Sequence, residues 1–329
     1  MSSNNPPRPL NIAILEEKSL TFREVQQALK VFQNSPSFQS VSPMISHQVR
    51  QISSTFVLLG GATRVALVMG LQHRLSEVIL GEPADSKVEG EIPKIALLLL
   101  NQPVGPEDEI FQSLWKRADV RICADGAANR LYNAFHKKTG TLAAADAKKY
   151  VPTVICGDMD SAEKVVVEYF EGLGTTIARE DDQDTTDFMK CLDWIDGHYE
   201  KRNSSSYAIV AYGGLGGRFD HTMASISTLY KYAKDRPIYL VNPGTLTFLL
   251  TPNTHHIECQ WYRKEIKCGI IPISEPAIVT TEGLRWNLKE EETSFTGLLS
   301  TSNIIDKDHA TVKTNKPVVW TMTLPNSKD

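Results

Sequence analysis

The stretch "VPTVICGDMDSAEK", residues 151–164, ends an apolar, β-branched run on a glycine and then sets Asp158 and Asp160 two positions apart. Like charges so close repel, and side chains two apart in an extended segment share one side. A cation between them resolves the conflict. Mg²⁺ suits the pair, because it takes few carboxylates and keeps room for water and phosphate oxygens. The same residues also fit a solvated acidic turn in which Asp160 or Ser161 caps the next helix.

Three other stretches share this form, an apolar run followed by polar or glycine-rich residues. "CADGAANRLY" (123–132) puts Asp125 after the run, Gly126 at a turn, and Asn129 and Arg130 at a helix start. By itself it also reads as a routine turn with an aspartate N-cap. "EDDQDTTDFMKCL" (180–192) surrounds a helix start with acids. Asp181 and Asp182 read as dipole-favoured capping residues. Asp187 lies in the first turn on the packed face, which points to function. "AYGGLGGRFDHTMAS" (211–225) holds four glycines in five residues before a helix, with Arg218 at its start. Backbone N–H groups of such a turn can close around phosphates, and Arg218 adds forked donors. There is no G-x-x-x-x-G-K-[ST] pattern, so this is not a Walker A loop. His221 reads as a surface or core histidine rather than a base.

The elements that must position these loops are legible as alternation. "KIALLLL" has no polar interruption, as expected of a strand covered on both faces. "EDEIFQSLWKRA" has helical spacing, with acids first and bases last to match the helix dipole. Then follow "DVRIC", "NRLYNAFHKK", "TVIC", "AEKVVVEYFEGL", "TTIA", "TTDFMKCLDWI", "YAIVAY", a helix after "GGRFDH", and "PIYLV". Strands alternating with helices predict an α/β layer with a mainly parallel sheet and flanking helices. In such a sheet ligands sit beyond the strands' carboxyl ends, so the four loops gather on one edge. From about residue 254 short β-rich pieces succeed one another, from "THHIECQW" to "PVVWTMTL", predicting a smaller antiparallel β-sandwich. The expected domains are an N-terminal extension over 1–92, partly helical ("FREVQQALKVF") or partly disordered, a catalytic domain over 93–252 and a β domain over 253–329.

The chain has 329 residues, net charge −4 and five cysteines without a C-x-x-C pair. The acidic balance argues against a nucleic-acid-binding surface. Several cysteines lie inside apolar runs, implying buried thiols in a reducing, cytoplasmic setting. No run of about 18 uncharged apolar residues predicts a membrane span. "MSSNNPPRPL" does not read as a secretory leader, and Glu16, Glu17 and Glu24 disfavour a mitochondrial one.

As an ordered set, "ADGAANRLY", "GDMDS", "DQDTTDF", "GGLGGRFDH", "GLRWNL", "STSN" and "KPVVWTM" resemble the thiamine pyrophosphokinase (thiamine diphosphokinase) family over roughly residues 93–325. Ala127 replaces a glycine usual in the first motif. The resemblance implies pyrophosphoryl transfer from ATP to thiamine, giving thiamine diphosphate and AMP, by a homodimer whose active sites are shared. It implies Asp158, Asp160 and Asp187 as Mg²⁺ ligands, with Arg218 completing the catalytic set. Asp125, Asn129, Gln183, Gly216, Gly217, Arg218 and Asp220 would line the ATP side. Trp286, Ser302 and Asn303 would hold thiamine from the partner subunit, Trp286 offering a flat apolar face. Trp320 reads as core. Two rivals share parts of the pattern: a metal-dependent nucleotide-sugar transferase, which also uses an Asp-x-Asp pair, and a non-catalytic nucleotide- or thiamine-binding regulator. The first does not predict "DQDTTD" and "GGLGGRFDH" on one edge, and the second has no need of mutually repelling carboxylates.

Overall fold

Residues of alternate parity on one central strand face opposite layers of helices, and this organises the catalytic half. The computed structural model describes residues 71–80, 94–136, 149–200, 207–233, 236–259 and 265–324. All belong to one compact unit, 70–86 with 91–329. The helix expected at "FREVQQALKVF" lies outside the described residues. Strand β1 (Leu71–His73) comes first, then β2 (Ile95–Leu99), helix α1 (Glu109–Arg117), β3 (Val120–Ala124) and α2 (Ala127–Phe135). Next are β4 (Val154–Gly157), α3 (Lys164–Gly172), β5 (Thr176–Arg179), α4 (Asp187–Ile195), β6 (Ala208–Tyr212), α5 (Phe219–Tyr232) and β7 (Ile238–Asn242).

Strand β2 is buried throughout. Ile95, Leu97 and Leu99 join the cluster holding Phe111 and Leu114 of α1, Leu131 of α2 and Phe170 of α3. Ala96 and Leu98 join the opposite cluster, with Phe188, Leu192 and Ile195 of α4 and Leu229 of α5. The period of two along the strand thus separates the two helical layers.

Strands β7, β6, β2, β3, β4 and β5 lie side by side in that order, all parallel. The chain winds outward from β2 to β5, then crosses back to place β6 on the other side of β2. The reversal opens a crevice at the carboxyl ends of β2 and β6, where ligands bind in folds of this kind.

The remaining strands are β8 (Thr245–Leu250), β9 (Asn253–Glu258), β10 (Ile266–Ile271), β11 (Ala277–Glu282), β12 (Glu291–Thr293), β13 (Ser300–Ile305), β14 (His309–Thr314) and β15 (Val318–Thr323). No sheet boundary separates β8, β15, β10 and β13 from the α/β layer. Strand β8 pairs antiparallel with β7 and with β15, and the sheet runs on through β10 to β13, ten strands in all. A second sheet, β1-β9-β14-β11-β12, contributes Ile257, Ala310 and Val312 to the cluster that holds Ile270, Trp320 and Met322 of the first. This is the expected β-sandwich, and Trp320 is wholly buried within it.

Residues 71–80, inside the stretch assigned from sequence to the N-terminal extension, are part of this core. Strand β1 pairs parallel with β9, and Leu75, Val78 and Ile79 are buried. His73 ties the strand down. His255 Nε2 donates to the Thr251 carbonyl at 2.7 Å, so its Nδ1 accepts from His73 Nε2 at 3.1 Å. That leaves His73 Nδ1 to accept from the Tyr239 hydroxyl at 3.2 Å. Leu75 is fully enclosed, so Leu75→Ala should lower unfolding free energy by roughly 2–5 kcal/mol, the usual cost of a leucine-sized core truncation. Denaturant titration checks this, and an unchanged midpoint would put the segment outside the folded unit.

Candidate active site

The crowded carboxylates are held by turns that the local sequence dictates. Asp125 leaves β3 with φ +41, a left-handed conformation that Asp tolerates better than most residues. Its buried carboxylate accepts the N–H groups of Ser161 at 3.0 Å and Ala162 at 2.9 Å. Asn129 grips the same loop: its Nδ2 donates to Ser161 O at 2.8 Å and its Oδ1 accepts Glu163 N–H at 2.9 Å. The loop after β3 therefore fixes the loop after β4.

Asp158 and Asp160 do not lie along an extended segment. Met159 between them has φ +67, and Asp160 N–H closes back onto Asp158 Oδ1 at 3.1 Å. Asp158 faces α4, whereas Asp160 is exposed and accepts the Ser161 hydroxyl at 2.9 Å. The three carboxylates that come together, each with an oxygen within 4.8 Å of the others, are Asp125, Asp158 and Asp187.

Gly157 makes this approach possible. A Cβ there would stand 2.8 Å from the Asp125 Cβ and 3.1 Å from Asp187 Oδ1, and its φ is +152. Asp187 is the first residue of α4, after Thr186, whose hydroxyl caps the helix by accepting Met189 N–H at 3.3 Å.

One helical turn on, Lys190 supplies the cation. Only 4% exposed, its Nζ donates to Asp158 Oδ2 at 2.9 Å and to Asp187 Oδ1 at 3.5 Å. The acidities follow. Lys190 holds the Asp158 carboxyl below its usual value, helped by the Asp160 N–H and Gln183. Asp187 is raised, first by burial and then by Asp158, against the pull of Lys190. Asp125 is pushed up to about 6, first by burial and further by Asp160 and Asp187, against the N–H bonds of Ser161 and Ala162, which lower it. Burial works to lower the Lys190 pKa, but its bond to Asp158 and the two negative charges outweigh this and raise it.

The donor set consists of carboxylate oxygens, as a hard divalent cation such as Mg²⁺ prefers. Asp160 stands at the rim, and Gln183 Nε2 reaches Asp158 Oδ2 at 3.3 Å.

Across the crevice the glycine-rich turn is braced from behind. Leu215 N–H is accepted by Asn242 Oδ1 at 3.2 Å, and Gly216 N–H by the Thr222 hydroxyl at 3.1 Å. Gln102, following β2, lies against it so closely that a Cβ on Gly217 would meet Gln102 Nε2 at 2.4 Å. Arg218 and Asp220 form an exposed pair, with Nε to Oδ1 at 3.1 Å and Nη2 to Oδ2 at 2.5 Å. Each perturbs the other: Asp220 is lowered by the Arg218 hydrogen bond and Arg218 is raised by Asp220.

In the β domain Trp286 is 58% exposed. Asn303, nearly buried, fixes its backbone: Oδ1 accepts Trp286 N–H at 3.2 Å and Nδ2 donates to Trp286 O at 2.8 Å. The Asn303 amide is thus engaged in bracing the tryptophan turn. Ser302 is exposed with φ +56. Arg285 lies over the indole, 5.8 Å from its centroid, and is anchored by Asp306 and Glu265.

Sequence reading missed Lys190, Gln102, Asn242 and Thr222. Only Lys190 leaves a trace, as a charge within the otherwise apolar run "FMKCL" three residues after Asp187.

A doubly wound sheet with carboxylates, a buried lysine and a glycine-rich basic turn along its carboxyl edge suits an enzyme class that handles phosphorylated substrates. Residues 111–240 match the thiamin pyrophosphokinase catalytic domain and residues 254–319 its vitamin B1 binding domain. The chain is 41% identical over 235 residues to thiamine pyrophosphokinase 3 of Oryza sativa subsp. japonica, covering 70% of this chain and 86% of that protein. It is 37% identical over 247 residues to thiamine pyrophosphokinase 1 of Arabidopsis thaliana, covering 74% and 90%. The crystal structure of yeast thiamin pyrophosphokinase superimposes with a TM-score of 0.65 at 30% identity, covering 77% and 90%. The chain belongs to the thiamine pyrophosphokinase family, and it is an enzyme.

Asp125 yields a pH test in metal-free protein. A carboxyl raised above its unfolded value contributes stability below about pH 4, lost as pH rises through the folded value, here about 6. In EDTA, Asp125→Asn should therefore gain on wild type as pH climbs from about 4 past about 6. A constant difference in unfolding free energy across that range would refute it.

Proposed function

We propose that this enzyme is a thiamine diphosphokinase, transferring the pyrophosphoryl group of ATP to the hydroxyl of thiamine and releasing AMP. The observation that carries the reading is the convergence of Asp125, Asp158 and Asp187 beyond the carboxyl ends of β3 and β4, on the sheet edge that also carries the glycine-rich turn after β6. The transferred group is highly charged, so the protein's work is positioning and charge stabilisation.

Asp158 and Asp187 would hold Mg²⁺ with Asp125, and Asp160 stands near enough to join through its turn. When bound, the ion neutralises phosphate oxygens and polarises the phosphorus centre. Arg218 exchanges Asp220 for phosphate oxygens, a move open to an exposed pair because such pairs are weak. Gly216 and Gly217 let the backbone approach those oxygens, while Gln183 orients Asp158. Asn129 acts on the ATP side by locking the metal-bearing loop. Trp286 stacks on thiamine, Ser302 stands next to it at the rim, and Asn303 keeps the indole in place.

The enzyme works as a homodimer with shared sites. Support comes from large apolar side chains left exposed in a single copy: Trp286, Phe295 and Leu298 in the β domain, and Phe219, 76% exposed, with Met223 on α5. A partner copy that covered them would remove this apolar area from water. A cytoplasmic location fits the five free, buried thiols. Among the described residues no helix is long and apolar enough to cross a membrane.

With Mg²⁺, ATP and thiamine, the purified protein should release AMP. Sustained ADP release would mark an ordinary kinase, and no turnover a regulator. Trp286→Ala should raise the KM for thiamine roughly tenfold or more while changing that for ATP little, as expected for loss of a stacking face. Equal effects on both would remove Trp286 from the thiamine site.

A further inference from the structure

We propose that Lys190 is a positioning residue that acts as the resident counter-cation of the carboxylate cluster. It holds Asp158 and Asp187 in place in the metal-free enzyme and keeps affinity for free divalent cations low, so that metal enters together with the nucleotide. The inference rests on the function proposed above only for the identity of the incoming complex. The geometry stands independently.

Lys190 is nearly fully buried in a helix turn whose other residues, Phe188, Met189, Cys191 and Leu192, are buried and apolar. Replacing the whole lysine–carboxylate triad by apolar side chains would cost little stability, so the lysine is there for the two acids it serves. The ammonium is matched to these two acids, at 2.9 Å and 3.5 Å. The neighbouring exposed guanidinium groups are committed elsewhere, Arg179 to Asp181 and Arg218 to Asp220.

A unit positive charge this close to two ligand oxygens repels a divalent ion strongly in a half-buried crevice. A nucleotide's phosphates bring negative charge that offsets the repulsion. Free metal lacks that help. The same ammonium removes much of the repulsion between Asp158 and Asp187 when no metal is present.

The test uses full-length, metal-free protein and Mn²⁺ as probe, with binding read by electron paramagnetic resonance and melting followed in EDTA. Lys190→Met should bind free Mn²⁺ at least about tenfold tighter than wild type, as expected from removing a close positive charge. It should also melt several degrees lower in EDTA and recover on adding Mn²⁺. Lys190→Arg, which keeps the charge, should track wild type in both measurements. Unchanged or weaker Mn²⁺ binding by Lys190→Met, or equal melting in EDTA, overturns the proposal. Should Lys190→Met fail to fold, the double variant Lys190→Met/Asp158→Asn decides. Recovery of melting supports the proposal, and no recovery defeats it. These readouts need no turnover, so the AMP assay reports separately on the reaction.

Discussion

Carboxylates brought within a few ångströms of one another at a half-buried strand edge repel, and the catalytic half is arranged around containing that repulsion. Lys190 offsets it directly. The N–H groups of Ser161 and Ala162 offset it at Asp125. The three acids consequently differ: Asp158 is held ionised by its bond to Lys190, whereas Asp125 and Asp187 are shifted toward the neutral form, first by burial. A set of groups with separated acidities is a common mark of a working site.

The backbone bears part of the cost. Asp125 and Met159 both sit at positive φ, where side chains other than glycine are strained, and Gly157 gives up its Cβ so that β4 can pass beneath the cluster. These three positions of strain or special geometry, at 125, 157 and 159, persist because the surrounding bonds over-determine them. The Asn129 clamp and the Asp125 bonds tie the loops after β3 and β4 into one rigid piece.

The two halves of the chain are joined more intimately than a two-domain description conveys. A single ten-stranded sheet passes from the parallel strands into the sandwich through β8, which is hydrogen-bonded on both edges. The Trp286 turn is braced by Asn303, from β13, at the far end of that sheet. Such a frame lets a binding face on the β domain and a metal site on the α/β domain belong to one stiff scaffold, as sites built on regular elements require.

The sequence by itself determined the α/β layer, its strand and helix order, the sandwich, and the four polar loops, because hydrophobic periodicity and turn chemistry are local properties. Uninterrupted runs such as "KIALLLL" and "YAIVAY" are legible as doubly covered strands for that reason. Other features depended on contacts far apart in the chain. Asp125 joins Asp158 and Asp187 because the loop after β3 is bonded to the loop after β4, through residues some thirty positions apart in the chain. Asn303 turns inward as a brace because Trp286, seventeen positions distant, needs its backbone paired. Residues 71–80 join the core only because β9 offers an open edge for pairing. Lys190 becomes a counter-cation only when β4 brings Asp158 beside α4. Local pattern specifies which elements form, but electrostatic partnership is a matter of distance, and distance between separate elements exists only in the folded chain.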